Sequence, residues 1–190
     1  MVKKVLVPVA EGFEEIEAVT IIDVLRRAGA EVTVAGVGAL QITASRGVKL
    51  VADKLISECV GETYDLIALP GGMPGAVNLR DSNELIDLLG RQHAENRWLA
   101  AICAAPAVVF APQGWIAGRH ATCHPNFSGQ LGSAIVSTNR VVVDGRCITS
   151  QGPGSALEFA LSLVAALFGE KKAAEVALPL VMPHGFGGER

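Results

Sequence analysis

The sequence has no excess of positive charge and few aromatic side chains. Its 190 residues carry 16 Lys and Arg against 19 Asp and Glu, which gives a formal net charge of −3 at pH 7. A protein that holds a nucleic-acid backbone by charge needs a basic surface, because phosphate contacts use Lys and Arg. The composition therefore argues against a nucleic acid as an electrostatically bound partner.

Cysteine is also sparse, and no two cysteines form a CxxC pair. The four are widely spaced: Cys59, Cys103, Cys123 and Cys147. The apolar stretch before Glu11 is about six residues long, shorter than the apolar region of a secretory signal. Without an export signal, a disulfide framework is not expected. We expect a cytoplasmic protein in which each cysteine acts alone.

No apolar run in the sequence requires a membrane-spanning helix. One uncharged segment, 98–118, is long enough to cross a bilayer, but it contains Pro106, Pro112 and Gly114. A strand, a turn and the start of a helix account for the whole segment. We therefore expect no membrane association.

Short apolar blocks alternate with helical patterns along the chain. The predicted strands are 4–9, 31–37, 48–53 (an edge strand), 65–69, 98–102 and a hairpin around Asp144 and Gly145. The predicted helices are 14–28, 83–95, 105–110, 155–168 and 170–177. This alternation indicates an α/β fold with a mainly parallel sheet and helices on both faces.

Cys103 stands where a buried strand is expected to meet a helix. In the segment AAICAAP, the small residues Ala101 and Ala105 flank it on either side, as a sharp strand-to-helix turn requires. Pro106 suits the first turn of the helix. The helix N-terminus would then lower the pKa of the thiol and favour the nucleophilic thiolate. The alternative is an ordinary buried cysteine between two apolar elements.

Two other predicted strands end in segments that suit the same site, since ligands bind beyond the carboxyl ends of parallel strands. In PGGMPGA, Gly71 and Gly72 can direct backbone N–H groups at a reacting oxygen, although a plain turn has the same composition. EGFEEIE carries four carboxylates, most of which suit a solvated helix start. A carboxyl group that faced Cys103 would stay protonated beside a thiolate and could transfer a proton.

His124, in ATCHP, is the histidine that best suits this site. Near the end of a strand, its imidazole would serve as a base or proton relay. The alternative is a histidine satisfied in the turn before Pro125. Cys123 offers a second metal ligand, but no third ligand has a fitting spacing, so no metal site is predicted.

Six segments together resemble the ThiJ/PfpI superfamily, and within it the branch of the Parkinson-associated protein deglycase. In chain order they are AEGFEEIEAV, ASRG, LPGGMPGA, AAICAAP, HP and QGPGSALEFAL. The resemblance implies a flavodoxin-like three-layer sandwich. It also implies a homodimer. The length of the chain predicts one domain over 1–190, and the composition of its last residues predicts a loose tail at 183–190.

The resemblance implies roles for individual residues. The implied catalytic residues are Cys103 as nucleophile, Glu17 as a protonated glutamate beside it, and His124 nearby. The implied oxyanion-binding and substrate-binding residues are Gly71, Gly72, Ala104 and Arg46.

The activities that the resemblance implies need neither a metal nor a cofactor. They are the conversion of methylglyoxal or glyoxal to hydroxy acids and the removal of early glycation adducts from proteins or nucleotides. We therefore expect an enzyme that forms a hemithioacetal through Cys103. The alternative is a redox-sensing chaperone of oxidative stress that is regulated by oxidation of Cys103 to the sulfinate.

Overall fold

The computed structural model describes residues 2–182, which form eleven strands and five α-helices. The strands are β1 (Lys4–Val9), β2 (Glu31–Gly36), β3 (Gln41–Thr43), β4 (Lys49–Val51), β5 (Lys54–Leu55), β6 (Leu66–Leu69), β7 (Trp98–Ile102), β8 (His120–Ala121), β9 (Ile135–Val136), β10 (Val141–Asp144) and β11 (Cys147–Ser150). The helices are α1 (Glu15–Arg27), α2 (Gly75–Arg80), α3 (Asn83–Ala94), α4 (Ala156–Phe168) and α5 (Glu170–Ala177).

Seven strands form one sheet in the order β10-β11-β7-β6-β1-β2-β5. All neighbours are parallel except β10 and β11, which form an antiparallel hairpin. The expected α/β sandwich with a mainly parallel sheet is therefore confirmed. In such a sheet the carboxyl ends of the parallel strands lie at one edge, and β7, β6 and β1 are direct neighbours there.

The strands supply both faces of the sheet with apolar side chains, because successive residues point to opposite sides. Val5, Val7 and Val9 of β1 pack in one core with α1 and α4. Leu6 joins a second core on the other face, together with residues of α3 and Phe110. Burial on both faces explains why these strands appear in the sequence as continuous apolar runs.

Two predicted elements differ from the structure. The expected edge strand at 48–53 is wrong, because β4 pairs with β3 in a separate hairpin and β5 takes the edge of the main sheet. The glycine-rich segment after β6 is a loop only as far as Pro74, since α2 begins at Gly75. The expected loose tail at 183–190 lies outside the described residues. No helix within residues 2–182 is long and apolar enough to cross a bilayer.

Candidate functional site at the carboxyl edge of the sheet

The three segments expected to form a site do meet at one edge of the sheet. Cys103 follows β7, Gly71 follows β6, and the segment 10–17 follows β1. These strands lie side by side in the order β7-β6-β1. The convergence therefore follows from strand order and from the shared direction of the three strands.

Cys103 has a left-handed backbone, with φ +65°. This conformation is rare for a residue with a side chain and persists where the surroundings enforce it. Its N–H donates to the Ser150 carbonyl at 2.9 Å, and its own carbonyl accepts from the N–H of His124 at 2.8 Å. Pro106 then begins a π-helical turn, Pro106–Phe110. The sharp strand-to-helix turn expected at Cys103 is present.

Gly71 lies so close to Cys103 that no larger residue fits. A Cβ at Gly71 would stand 2.6 Å from Cys103 Cβ and 2.9 Å from the Ile102 carbonyl oxygen. The Gly71 N–H donates to Glu17 Oε2 at 2.7 Å, and the Gly71 carbonyl accepts from the N–H of Glu14 at 3.0 Å. The loop after β6 is thereby held between α1 and the cysteine.

Glu17 is a fully buried carboxyl beside the thiol. Burial is the main cause that raises its pKa to about 7, and the charge of Glu14 raises the pKa further. The N–H of Gly71 acts in the opposite direction and lowers it. Glu17 Oε1 has no hydrogen-bond partner among residues 2–182, and the neighbouring Cys103 thiol lowers the pKa of the carboxyl group slightly. Glu17 therefore holds a proton more firmly than an exposed glutamate does.

The expected lowering of the Cys103 pKa is wrong. Burial and, second, the charge of Glu17 raise the pKa of the thiol to about 12, although the N–H groups of Gly72 and Ala104 favour the thiolate. The element that follows Cys103, Pro106–Phe110, is a π-helical turn of 5 residues. Such a short element contributes little dipole, so burial dominates.

The thiol and the carboxyl nevertheless form one titrating pair. The second cause of the raised thiol pKa is the negative charge of Glu17, and it disappears when Glu17 is neutral. A neutral Glu17 beside a thiolate and an ionised Glu17 beside a thiol carry the same net charge and differ by one proton transfer. The N–H donors of Gly72 and Ala104 favour the first of these two states.

His124 and Arg46 lie at the periphery of this pair. The half-buried imidazole of His124 accepts the Asn126 N–H at Nδ1 (3.3 Å), which leaves Nε2 to carry the ring proton. The Arg46 side chain is exposed, and its guanidinium hydrogen-bonds the Ser45 carbonyl at 3.5 Å. The described contacts connect His124 to Cys103 through the backbone, and they do not connect the Arg46 guanidinium to the sulfur.

Two glutamates that sequence reasoning did not assign support the site. Glu14 caps α1 by accepting the N–H of Glu17 at 2.8 Å. Glu15 is buried and accepts from the N–H of Arg46 (2.9 Å) and the hydroxyl of Ser45 (3.0 Å), which fastens the ASRG segment to α1. The density of glutamates in EGFEEIE was the only available signal, because the pattern does not separate solvated carboxylates from buried ones.

The same site offers no cluster of metal ligands. Across residues 2–182, no three His, Cys, Asp or Glu side chains are grouped so as to hold an ion.

Comparison with known proteins gives consistent matches along the chain. The model of the DJ-1/PfpI family matches residues 3–166. Protein DJ-1 homolog B of Arabidopsis thaliana is 46% identical over 98% of this chain, which spans only 43% of that relative. Glutathione-independent glyoxalase DJR-1.2 of Caenorhabditis elegans is 36% identical, over 90% of this chain and 92% of the relative. The solved structure described as Toxoplasma gondii DJ-1, oxidized, is 49% identical with a TM-score of 0.93, over 96% of this chain and 100% of that one.

Proposed function

Because this chain belongs to the DJ-1/PfpI family, we propose that it is a cysteine enzyme that needs no cofactor. Its substrates in this proposal are reactive 2-oxoaldehydes, with methylglyoxal converted to lactate, and early glycation adducts of proteins or nucleotides. The observation that carries the proposal is the placement of the buried Glu17 carboxyl, which accepts the Gly71 N–H at 2.7 Å, next to Cys103, against which Gly71 packs. The name of the Caenorhabditis elegans relative supports the choice of substrate.

The first step is addition of Cys103 Sγ to the aldehyde carbon. The C–S bond forms as the thiol proton passes to the Glu17 carboxylate, and the carbonyl π electrons become an oxyanion. The N–H groups of Gly72 and Ala104 lower the pKa of the Cys103 thiol, and in the proposal they also stabilise this oxyanion. Glu17 then returns the proton to the oxyanion, which leaves a neutral hemithioacetal.

The second step moves a proton between the two carbons of the bound substrate. Glu17 removes the proton from the former aldehyde carbon, and the resulting enediol accepts a proton at the neighbouring carbon. The product is a thioester of the 2-hydroxy acid, which water hydrolyses to lactate and the free thiol. One carbon of the substrate is oxidised and its neighbour is reduced. The overall reaction is therefore methylglyoxal plus water giving lactate.

His124 is the second group assigned to proton transfer. Its backbone N–H donates to the Cys103 carbonyl at 2.8 Å, and Nε2 carries the ring proton. In the proposal Nε2 donates to the enediol oxygen that lies farther from Glu17. Arg46, on the segment fastened by Glu15, contributes positive charge at the rim of the site.

The test is turnover of methylglyoxal by the purified protein without glutathione, with lactate measured as product. Cys103→Ala is expected to lower kcat/KM by at least about 10³-fold, and Glu17→Gln by about 10²-fold or more. Cys147→Ala, which changes a buried cysteine away from the site, is the matched control. Full turnover by Cys103→Ala would overturn the proposal.

A second candidate function is redox sensing with chaperone activity, which one relative's description as oxidized favours. Two molecules of hydrogen peroxide would convert the Cys103 thiol to the sulfinic acid and release two molecules of water. Protonated Glu17 would donate to one sulfinate oxygen. Peroxide treatment followed by peptide mass analysis separates the two functions. Two oxygens on Cys103 together with a gain in client-holding activity favour sensing, and rapid aldehyde turnover by the reduced protein favours catalysis.

We also propose that the protein forms a homodimer through α1 and the β3–β4 hairpin. Four apolar side chains are exposed on this surface: Ile16, Val19, Val48 and Val51. A groove of about 250 Å³ between Val19 and Val51 connects the helix to the hairpin. Exposed apolar patches of this kind on a soluble domain are typical of subunit interfaces.

Sedimentation of the purified protein tests the dimer. Val51 is 70% exposed. Val51→Asp would place a negative charge in the proposed interface, so this variant is expected to be monomeric. Val143→Asp changes a valine that is 55% exposed on β10 and should leave the dimer intact. A monomeric wild-type protein would contradict this assignment.

A further inference from the structure

A cluster of arginines lies at the opposite edge of the sheet from Cys103, where β7 and β11 begin. A shallow cavity of about 20 Å³ there is lined by Arg97, Arg119 and Arg146, together with His93 and Trp115. We call this surface the arginine cleft. It is built from the end of α3, the first residues of β7 and β11, and the segment before β8. Nothing in the proposed aldehyde chemistry uses it.

Local contacts hold all three guanidinium groups in place. Arg119 Nη1 donates to the Asp144 carbonyl at 3.3 Å and lies directly against Gly145, where a Cβ would collide with it. The Arg146 guanidinium stacks on the Trp98 ring, 4.7 Å from its centroid. Arg97 Nη1 donates to the Tyr64 carbonyl at 3.3 Å. The cluster is therefore largely ordered before any ligand binds, which reduces the entropic cost of binding.

The nearby carboxylates offset only part of this charge, and the charge of Asp144 acts on Arg119 from a distance. Glu95 pairs with Arg97 at 2.7 Å, and Asp144 accepts from the backbone N–H of His120 and contacts its ring at 3.2 Å. Within residues 2–182, neither Arg119 nor Arg146 has a carboxylate within 4.0 Å. An acidic chain with a net charge of −3 thus keeps a local positive excess at one fixed place.

We propose that the arginine cleft binds a phosphate-class oxyanion, either inorganic phosphate or the terminal phosphate of a small monoester. Guanidinium groups present paired donors that match phosphate oxygens, and charge-assisted bonds of this kind are stronger than neutral ones. A cavity of about 20 Å³ holds one oxygen-sized group. One phosphate oxygen enters the cavity, and the others face Arg119 and Arg146 at its rim.

The chain carries a built-in reporter for this site. Its 2 tryptophans are Trp98, which stacks on Arg146, and Trp115, which lines the cleft. Titration of the full chain with inorganic phosphate, at ionic strength held constant with chloride, is expected to change tryptophan fluorescence saturably and to raise Tm. Glycerol phosphate is titrated in parallel to distinguish a monoester from the free ion.

Three variants test the assignment. Arg119→Gln and Arg146→Gln are each expected to weaken phosphate binding at least about tenfold, as the loss of a charge-assisted contact implies. Arg146→Lys keeps the charge without the paired donors and should bind with intermediate affinity. Arg80→Gln, which removes an arginine paired with Asp81 on α2, is the control. Equal responses to chloride and phosphate, or wild-type affinity in both Gln variants, would overturn the proposal.

Discussion

Two buried cysteines at opposite ends of neighbouring strands differ in one decisive respect. Cys103 directly follows β7 and is 9% exposed, whereas Cys147 begins β11 and is 7% exposed. Burial is the largest cause that raises the pKa of each thiol to about 12. Burial alone therefore does not distinguish a nucleophile from a core residue.

The groups that surround the two sulfurs make the difference. At Cys103 the second influence is Glu17, a carboxyl that can accept the thiol proton, and backbone N–H groups stabilise the resulting charge. At Cys147 the charges of Arg119 and Asp144 oppose each other, and neither group is a proton acceptor bonded to the sulfur. In the proposed function, a partner that exchanges the thiol proton is what makes Cys103 reactive and leaves Cys147 a core residue.

The backbone distinguishes the two cysteines as well. Cys147 pairs with Leu99 in regular strand geometry, while Cys103 has φ +65°. A left-handed residue with a side chain costs about 1–3 kcal/mol, which the surrounding hydrogen bonds must offset. That cost is consistent with a side chain whose position matters more than its contribution to stability.

The rate of alkylation is the property in which we expect Cys103 and Cys147 to differ most. With iodoacetamide at pH 8, Cys103 should react at least about 10²-fold faster than Cys147, because only Cys103 has a proton acceptor and stabilising donors. Peptide mass analysis over time measures both rates in one sample. Equal rates in the wild type would show that the surroundings of Cys103 confer no special reactivity.

The close approach of Gly71 to Cys103 predicts the next largest effect. Gly71→Ala places a Cβ 2.6 Å from Cys103 Cβ, so we expect a loss of about 1–3 kcal/mol in the free energy of unfolding. Displacement of the sulfur should also lower kcat/KM by about 10²-fold.

Gly90→Ala is the matched control for this substitution. A Cβ at Gly90, within α3, meets no heavy atom within 4 Å. Alanine there should stabilise the helix by about 0.5–1 kcal/mol and leave turnover unchanged. Similar losses in both variants would mean that the collision at Cys103 is not the cause.

Much of this site was predictable because its parts are local. The bounds of β1, β7 and α5 agree with prediction, and AAICAAP placed Cys103 at a turn. The rest depends on contacts between distant segments. A three-residue strand such as β4 can pair with β3 or with the edge of the main sheet, and its sequence does not indicate which pairing forms. The burial that raises the thiol pKa likewise comes from packing, whereas the local pattern showed only the expected helix N-terminus.

Glu17 predicts a pH-dependent difference in stability. Its pKa rises from 4.5 to about 7 on folding, so the native state binds this proton more tightly. The stabilising contribution is complete below pH 4.5 and is lost as the pH rises through about 7. Relative to Glu17→Gln, the wild type should lose roughly 3 kcal/mol of unfolding free energy across this range.

Urea unfolding of both proteins from pH 4.5 to pH 8 measures this difference. Glu31→Gln, which removes an exposed carboxyl at the start of β2, is the control for the loss of a glutamate away from the site. A constant difference between wild type and Glu17→Gln would indicate that the buried carboxyl does not hold its proton in the folded protein.

The smallest expected effect is that of Glu14→Gln. This substitution distinguishes the effect of the Glu14 charge on the Cys103–Glu17 pair from the effect of its hydrogen bond to Glu17. Glu14 accepts the N–H of Glu17 at 2.8 Å, and its charge is one of the causes that raise the Glu17 pKa. Glu14→Gln keeps an acceptor and removes the charge. It should therefore move the acidic inflection of kcat/KM to lower pH, while the rate at pH 8 changes less than about tenfold.

Glu15→Gln is the comparison that makes this result interpretable. Glu15 is on the same helical turn, but its carboxylate holds Ser45 and Arg46 and is not among the charges that act on Glu17. Glu15→Gln should lower stability by loosening the ASRG segment and leave the inflection where it is. If both variants move the inflection equally, packing of α1 rather than the Glu14 charge controls the proton on Glu17.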